Sequence, residues 1–358
     1  MPTLTVTHPT GSYPIFLDAG ELSQTGSRLA ELGHRGRCAV VTNPTVGHHH
    51  AEPLLASLSA AGFQPHRITI PDGEQHKSLD TVADLYDEFI AARLDRRSPV
   101  IALGGGVLGD TVGFAAASFL RGVPFVQIPT TLLSMVDASV GGKTGVDLPQ
   151  GKNLVGAFKQ PEMVVLDPNV LQTLPPAELR AGMAEVIKHG ILDTTDNLFE
   201  QLESRADASP TPYSLLPTPL LQASVSVKIR VVQEDPFEQG RRATLNLGHT
   251  FAHAFERLAR FDMRHGDAVA MGLVCAARLS ARLGLCAGDT TERITALVAA
   301  TGLPTEPPDF PPEEIWAAMA TDKKRVGNTV RFILPRAIGD VDIFSDIEQA
   351  DVLAVLQK

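Results

Sequence analysis

Residues 246–256 read NLGHTFAHAFE. The pattern predicts a helix over about 247–259, and a spacing of four puts His249 and His253 on one helical face. On a wheel at about 100° per residue, Phe251, Phe255 and Leu258 gather on one side. The two histidines lie nearly opposite, with Glu256 beside them. They are therefore expected to face solvent or a cleft, either as polar residues of a wet face or as metal ligands. Two further residues extend the second reading. His265, in DMRHGDAVAMGL, precedes a long apolar helix, and Glu185, in RAGMAEVIKHG, shares a helical face with Glu178 and Gly182. One carboxylate with two imidazoles and an open coordination position suits zinc acting as a Lewis acid. Spacing alone does not choose among the three histidines, although helical periodicity favours His249 with His253.

A second constellation is GGGVLGD (104–110), in which Gly104, Gly106 and Gly109 satisfy GxGxxG between the strand-like PVIAL and the helix-like TVGFAAASFL. Such a turn lets the backbone approach a pyrophosphate at a helix N-terminus. The acidic residue expected about twenty positions later, for the ribose hydroxyls, is absent. The adenosine side is then expected to be held elsewhere, with DGEQHKS (72–78) the candidate. GGKTG (141–145) resembles the tail of a P-loop, but Asp137 stands where the first glycine belongs, which excludes an NTPase reading. Arg121, Lys143, Lys152, Lys228, Arg242, Lys323 and Lys324 lie beside glycines, prolines and polar residues. Each alone reads as a solvated charge. Together, against a net charge of −10, they suggest a local site for phosphate or carboxylate.

The elements that must position these groups fall into two halves. RCAVVT (37–42), RITIP (67–71), PVIAL (99–103), PFVQIP (124–129) and EMVVLD (162–167) read as strands, several apolar throughout, as in a parallel sheet buried on both faces. Helical patterns such as 78–94 alternate with them, so an open α/β sheet is expected. Beyond Pro175–Pro176 nearly everything reads as helix, apart from a short hairpin near Asn328–Leu334 and a proline-rich connector at 208–220. The expected organisation is an α/β Rossmann-like dinucleotide domain over 1–175 and an all-α domain over 176–358. His48–His50 reads as a solvated run in a loop. The acidic balance argues against nucleic acid or an anionic membrane as partner. Three cysteines without a CxxC argue against a disulfide framework and for a reducing compartment. No stretch approaches the roughly 18 apolar residues of a membrane span, and a cytoplasmic protein is expected.

PDGEQHKS, GGGVLGDTVGFAAASFLRGVPFVQIPTTLLSMVDASVGGKTGVD, GKNLVGAF, AGMAEVIKHG and RATLNLGHTFAHAFE together resemble the 3-dehydroquinate synthases, in the family's order, from about residue 40 to about residue 340. The late TDKKRVGNTVRFILP is similar as well. The resemblance implies a cytoplasmic shikimate-pathway homodimer that uses NAD and a divalent metal, Zn2+ or Co2+. Its substrate is a sugar phosphate, 3-deoxy-D-arabino-heptulosonate 7-phosphate. Transient oxidation at C5 makes the adjacent C–H acidic, phosphate leaves by β-elimination, hydride returns, the ring opens and an intramolecular aldol closes 3-dehydroquinate. It further implies Glu185, His249 and His265 as metal ligands, with His253 and Glu238 in proton transfer. Lys143 and Arg242 would serve both binding and catalysis. Substrate contacts would come from Arg121 (reaching across the dimer), Asp137, Asn153, Lys228, Asn246 and one or both of Lys323 and Lys324. NAD would meet Asn43, Thr45, Glu74, Lys77, Gly105, Gly106, Val107, Asp110, Thr130, Thr131, Lys152 and the stretch Val170, Leu171, Gln172 and Thr173. The rival readings are another sugar-phosphate cyclase, of the 2-deoxy-scyllo-inosose or valiolone synthase type, and a metal-dependent glycerol or alcohol dehydrogenase.

Overall fold

The protein is described by a computed structural model covering residues 3–208, 216–260, 262–323 and 330–357. It divides into two compact units, 1–175 and 176–358.

The first unit is built on a seven-stranded sheet. Its strands are β1 (Thr3–His8), β2 (Gly11–Leu17), β3 (Arg37–Thr42), β4 (Gln64–Thr69), β5 (Val100–Gly104), β6 (Phe125–Pro129) and β9 (Met163–Leu166). Their spatial order is β1-β2-β9-β6-β5-β3-β4, parallel except for the β1–β2 hairpin. Strands β5, β6 and β9 are buried along their whole length, which is why they read as unbroken apolar runs. Ala39, Val41, Val100 and Ala102 join one core with Val82, Leu85 and Phe89 of α3 (Leu79–Ala91) and with Val112 and Ala115 of α4 (Gly106–Ser118). The alternate residues, such as Val40 and Ile101, point to the opposite face, and α2 (Pro44–Ala60) packs on β3, β4 and β5. The chain runs outward from β3 to β4 and then returns to lay β5 on the other side of β3. That reversal is a topological switch point, where the carboxyl ends of β3 and β5 open a crevice.

The structure departs from the sequence-based expectations at several elements. The N-terminal hairpin was not expected, nor was a second hairpin, β7 (Lys143–Leu148) with β8 (Gly151–Phe158). The glycines of 141–156 belong to that hairpin: a Cβ on Gly145 would meet the Val155 carbonyl oxygen at 2.6 Å. His48–His50 is not in a loop but inside α2, and His50 is buried. The Asn43 side chain accepts from Val46 N and starts that helix before the histidines.

The second unit contains α5 (Pro176–Leu192), α6 (Leu198–Ala208), α7 (Thr218–Glu234), α8 (His249–Leu258), α9 (His265–Arg282), α10 (Gly288–Ala300), α11 (Pro312–Lys323) and α12 (Gln349–Leu356). It is helical but not all-α, because β10 (Phe332–Ala337) and β11 (Asp340–Phe344) pair as an antiparallel hairpin. The start of the hairpin expected from residue 328 lies outside the described residues. Helix α9 is the hub and packs on α5, α8, α10 and α12.

Two glycines set how close these helices come. A Cβ on Gly272 would stand 2.2 Å from the Gly248 carbonyl oxygen, and one on Gly266 would stand 2.0 Å from that of Ala181. Both obstacles are backbone and cannot rotate away. Gly272 thereby draws α9 against the start of α8, and Gly266 draws the first turn of α9 against α5. Gly272→Ala and Gly266→Ala are each expected to lower the unfolding free energy by about 1–3 kcal/mol, read as an earlier urea midpoint. A wild-type midpoint in either would mean that the helices part there without cost.

Candidate active site

The helix contacts just described deliver three ligand-type side chains to one place. Glu185 comes from the middle of α5, His249 from the first residue of α8 and His265 from the first residue of α9. One donor atom of each lies within 4.8 Å of the others. Nε2 of His249 and Nε2 of His265 each stand 3.6 Å from Glu185 Oε1. Two ligands about 2.0–2.1 Å from a tetrahedral ion lie about 3.3 Å apart, so these separations accommodate a divalent ion. Each imidazole uses its other nitrogen elsewhere: His249 Nδ1 lies 3.1 Å from the Leu247 carbonyl oxygen, and His265 Nδ1 lies 3.3 Å from Glu256 Oε1. Those contacts fix the rings with Nε2 directed at the carboxylate, the outer arrangement usual for metal-bound histidine.

Glu185 is fully buried, and among the described residues its oxygens are met by an ammonium and two imidazoles rather than by backbone N–H or hydroxyl donors. Its compensation is ionic. Lys188, one turn on and equally buried, forms an ion pair with it. Burial alone would raise the Glu185 carboxyl, but the Lys188 ammonium, His265 and His249 overcome this and hold it well below the usual carboxylate range. Burial, with Lys188 nearby, pushes His249 down to about 3. At His265 burial is outweighed by the hydrogen bonds to Glu185 and Glu256, which raise it to about 10. The locus therefore demands positive charge, and a divalent ion would compete with the His265 proton for the same electron pair. The donor set fits a zinc-type ion.

His253 is placed differently. Its ring meets that of His249 edge-on at 5.5 Å, yet it is exposed and does not belong to the Glu185 group. Helical spacing favours His249 with His253, whereas the structure groups His249 with a histidine of the next helix. The expectation of two wet histidines also needs correction, since His249 is buried. Among the cations of this unit, Lys228 and Arg242 are buried rather than solvated. Lys228 lies within α7, and Arg242 within a 3-10 turn, Arg241–Asn246. Asn246 Nδ2 donates to Glu238 Oε1 at 3.2 Å. Lys323 is the last residue of α11, and Lys324 lies outside the described residues. Lys188 was not singled out from the sequence. Its signal was a Lys three residues after a Glu in an otherwise apolar helix.

In the first unit, Gly104 ends β5, Gly105 caps α4, and Gly106, Val107 and Asp110 occupy its first turns. Space at the turn is tight: a Cβ on Gly105 would lie 3.2 Å from Thr131 Cγ2, and one on Gly109 would lie 2.8 Å from Gln127 Oε1. Thr130, just after the neighbouring β6, keeps a buried hydroxyl without a hydrogen-bond partner among the described residues. Asn43 and Thr45 open α2 just after β3, so they share the switch point with the glycine turn. A bare helix N-terminus, a glycine cradle and an orphaned hydroxyl fit a dinucleotide pyrophosphate. Val170, Leu171, Gln172 and Thr173 form a 3-10 turn over Pro168–Thr173, and Thr173 Oγ1 lies 2.8 Å from Nε2 of His50.

Lys77 ties several of these residues together. Its buried Nζ stands 2.7 Å from both Asp110 Oδ2 and Asn153 Oδ1. Lys152 pairs with Glu74 at 3.0 Å. Asp147, which the sequence did not flag, accepts from Asn153 N at 2.7 Å and donates its own N–H to the Lys77 carbonyl oxygen at 2.8 Å. Asp137 lies in a wide π-type turn, Ser134–Ala138. Lys143 is exposed at the start of β7, and Arg121 is exposed after α4. Arg121, Asn153 and Glu238 all have left-handed backbones, with φ of 69°, 55° and 57°, a conformation that marks held strain in non-glycine residues.

Comparison with known proteins agrees with both halves. Residues 67–181 match the family described as 3-dehydroquinate synthase N-terminal, and residues 182–325 match 3-dehydroquinate synthase C-terminal. The chain is 47% identical to a 3-dehydroquinate synthase of Synechococcus sp., over 98% of this chain and 96% of that one. It is 46% identical to that of Caulobacter vibrioides, over 96% and 95%. Among solved structures, a 2-epi-5-epi-valiolone synthase from Streptomyces hygroscopicus subsp. jinggangensis with NAD+ and Zn2+ bound aligns at TM-score 0.86 and 30% identity, covering 99% of this chain and 98% of that one. A probable glycerol dehydrogenase from Sinorhizobium meliloti aligns at 0.64 and 17%, covering 96% and 94%, a likeness of fold alone.

Asp110 carries a pH signature. Burial pushes its carboxyl up to about 6 from an ordinary 3.8, against the pull of Lys77. A raised acid contributes stability fully below about pH 4, and that contribution is lost as pH rises through about 6. Lys77→Met removes the opposing pull and raises Asp110 further. Urea midpoints measured from about pH 4 to about pH 8 should therefore fall more in the variant than in the wild type. Parallel profiles would show that the ammonium does not govern this carboxyl.

Proposed function

The chain belongs to the 3-dehydroquinate synthase family, and from that premise we propose which of its residues carry the reaction. It converts 3-deoxy-D-arabino-heptulosonate 7-phosphate to 3-dehydroquinate and phosphate by transient oxidation, phosphate elimination, re-reduction, ring opening and aldol closure. The observation that carries the site assignment is Glu185, a fully buried carboxylate faced by two imidazole nitrogens whose rings are anchored from behind. Glu185, His249 and His265 hold the metal. When bound, NAD supplies a hydride acceptor and donor, and Zn2+ or Co2+ supplies Lewis-acid stabilisation of negative charge.

The chain's own residues do the rest. Lys228 and Arg242 are buried cations, strongest where water is excluded, and bind the anionic groups of the substrate. Lys143 and Arg121 add exposed charge at the rim, Arg121 from a partner copy. Asp137, Asn153, Asn246 and one or both of Lys323 and Lys324 complete the substrate contacts. Asn246 orients Glu238, which with His253 moves protons. The glycine turn from Gly105 to Val107, with Thr130, Thr131 and the residues opening α2, holds the dinucleotide. Glu74 and Lys77 hold its adenosine side, and Asp110, Lys152 and the Val170–Thr173 turn complete the dinucleotide contacts. The 1–175 unit is thus the NAD domain and 176–358 the metal and substrate domain. The working form is a cytoplasmic homodimer. Three unpaired cysteines suit a reducing compartment, and exposed Leu120, Leu154 and Phe158 near Arg121 and Asn153 in sequence suit a protein interface. No helix among the described residues is long and apolar enough to cross a membrane.

Purified protein given the heptulosonate phosphate and catalytic NAD+ should release phosphate and dehydroquinate in equal amounts, with no NADH building up at steady state. Accumulating NADH with glycerol as substrate would instead favour a dehydrogenase. Chelation should abolish turnover, and Zn2+ or Co2+ should restore it. His249→Ala and His265→Ala should lose bound metal by elemental analysis. Glu256→Gln should weaken metal affinity about 10- to 100-fold. His253→Ala should keep its metal and lose about 100-fold or more in kcat. A metal-free His253→Ala protein would move that residue into the ligand set.

A further inference from the structure

We propose that Asp235 is a positioning residue, one that sets both Glu238 and Arg242 by gathering the backbone between them onto a single carboxylate. The proposal rests on the family reading, in which Glu238 and Arg242 meet substrate. Asp235 closes α7. Its Oδ1 accepts from Gln239 N at 2.9 Å, and its Oδ2 accepts from Gly240 N at 2.7 Å and Arg242 N at 3.1 Å. The Asp235 carbonyl oxygen also accepts from Glu238 N at 3.4 Å. Three amides from residues 239–242 therefore converge on one side chain.

The loop so gathered fixes two groups of opposite kind. Glu238 sits at its crest with φ 57°, a left-handed backbone that a non-glycine residue keeps only where its surroundings impose it. The amides just beyond it, at Gln239 and Gly240, are held by Asp235 and impose it here. Arg242 is bound twice, through its amide to the carboxylate and through Nη1 to the Pro236 carbonyl oxygen at 2.6 Å. The amides at Gln239, Gly240 and Arg242 keep Asp235 ionised, below the usual range. An asparagine there would keep one acceptor oxygen and turn an amide NH2 toward the remaining N–H groups. The crest would relax, and both the base and the cation would leave their places.

The test begins with the wild type under the assay above. If the wild type does not turn over, the family reading fails and takes this proposal with it. With an active wild type, Asp235→Asn is expected to lower kcat by about 10- to 100-fold, the scale of a misplaced catalytic group. NAD+ affinity should stay at its wild-type value, and Tm should fall by no more than a few degrees, the cost of hydrogen bonds within one loop. Placed in a Glu238→Gln background, Asp235→Asn should reduce kcat clearly less than it does in the wild type, the remaining loss being the part that acts through Arg242, since residues that act through one another do not fully multiply their losses. Asp235→Glu, which keeps the charge and shifts its oxygens by one methylene, should lower kcat with the same pattern. Three results overturn the proposal. One is wild-type kcat in Asp235→Asn. Another is multiplicative losses in the double variant. The third is a larger fall of Tm, with NAD+ affinity falling together with kcat, in both single variants, which would assign Asp235 to general stability.

Discussion

The second unit depends on one buried carboxylate. Glu185 lies in the middle of a helix that is buried on nearly every side, where an isolated carboxylate would be too costly to keep ionised. It persists because positive or potentially positive groups are brought to it: Lys188 from its own helix, His249 from α8 and His265 from α9. That requirement explains the glycines. A side chain at Gly266 would push the first turn of α9 from α5, and one at Gly272 would push α9 from the start of α8. Either shift would pull an imidazole from the carboxylate. Helix packing and ion chemistry are therefore one constraint here.

Lys77 plays the corresponding part in the first unit. A single ammonium bridges Asp110, on the helix that follows the glycine turn, and Asn153, on the β7–β8 hairpin. Lys77 thereby joins a residue proposed to meet the dinucleotide with one proposed to meet the substrate. The hairpin is anchored separately: β7 packs on α4, with Gly113 leaving room for Thr144.

What could be read in the sequence follows from how far each signal reaches. Strands β3, β5, β6 and β9 were legible because burial on both faces demands uninterrupted apolar runs. Strand β8 was not: its residues alternate between half-buried and exposed, and two of its eight are glycine, so it reads as loop. The run at His48–His50 misled for a related reason. Composition suggested solvent, while the Asn43 cap and Pro44 had already started a helix that buries its third histidine. Periodicity reports proximity within one helix and ranks His249 with His253. It cannot rank His265, which arrives by tertiary packing; the residue was a candidate by type, and only the family resemblance chose it over His253. Lys228 and Arg242 looked solvated because charge is usually exposed; their burial is a property of the surrounding fold.

Both units hold a residue proposed to take part in the reaction on a left-handed backbone by the same means. Asn153, with φ 55°, donates its amide to Asp147, and Glu238, with φ 57°, is followed by amides that donate to Asp235. In each case a carboxylate a few residues upstream captures the N–H groups that the left-handed residue turns outward. Glycine would adopt those angles without help, but glycine has no side chain to offer a substrate. A functional side chain on a left-handed backbone needs an external clamp, and an aspartate can supply one within the same loop. The carboxylates of Asp147 and Asp235 are thus tied to the placement of chemistry carried by other residues, which is why composition and motif spacing passed over both.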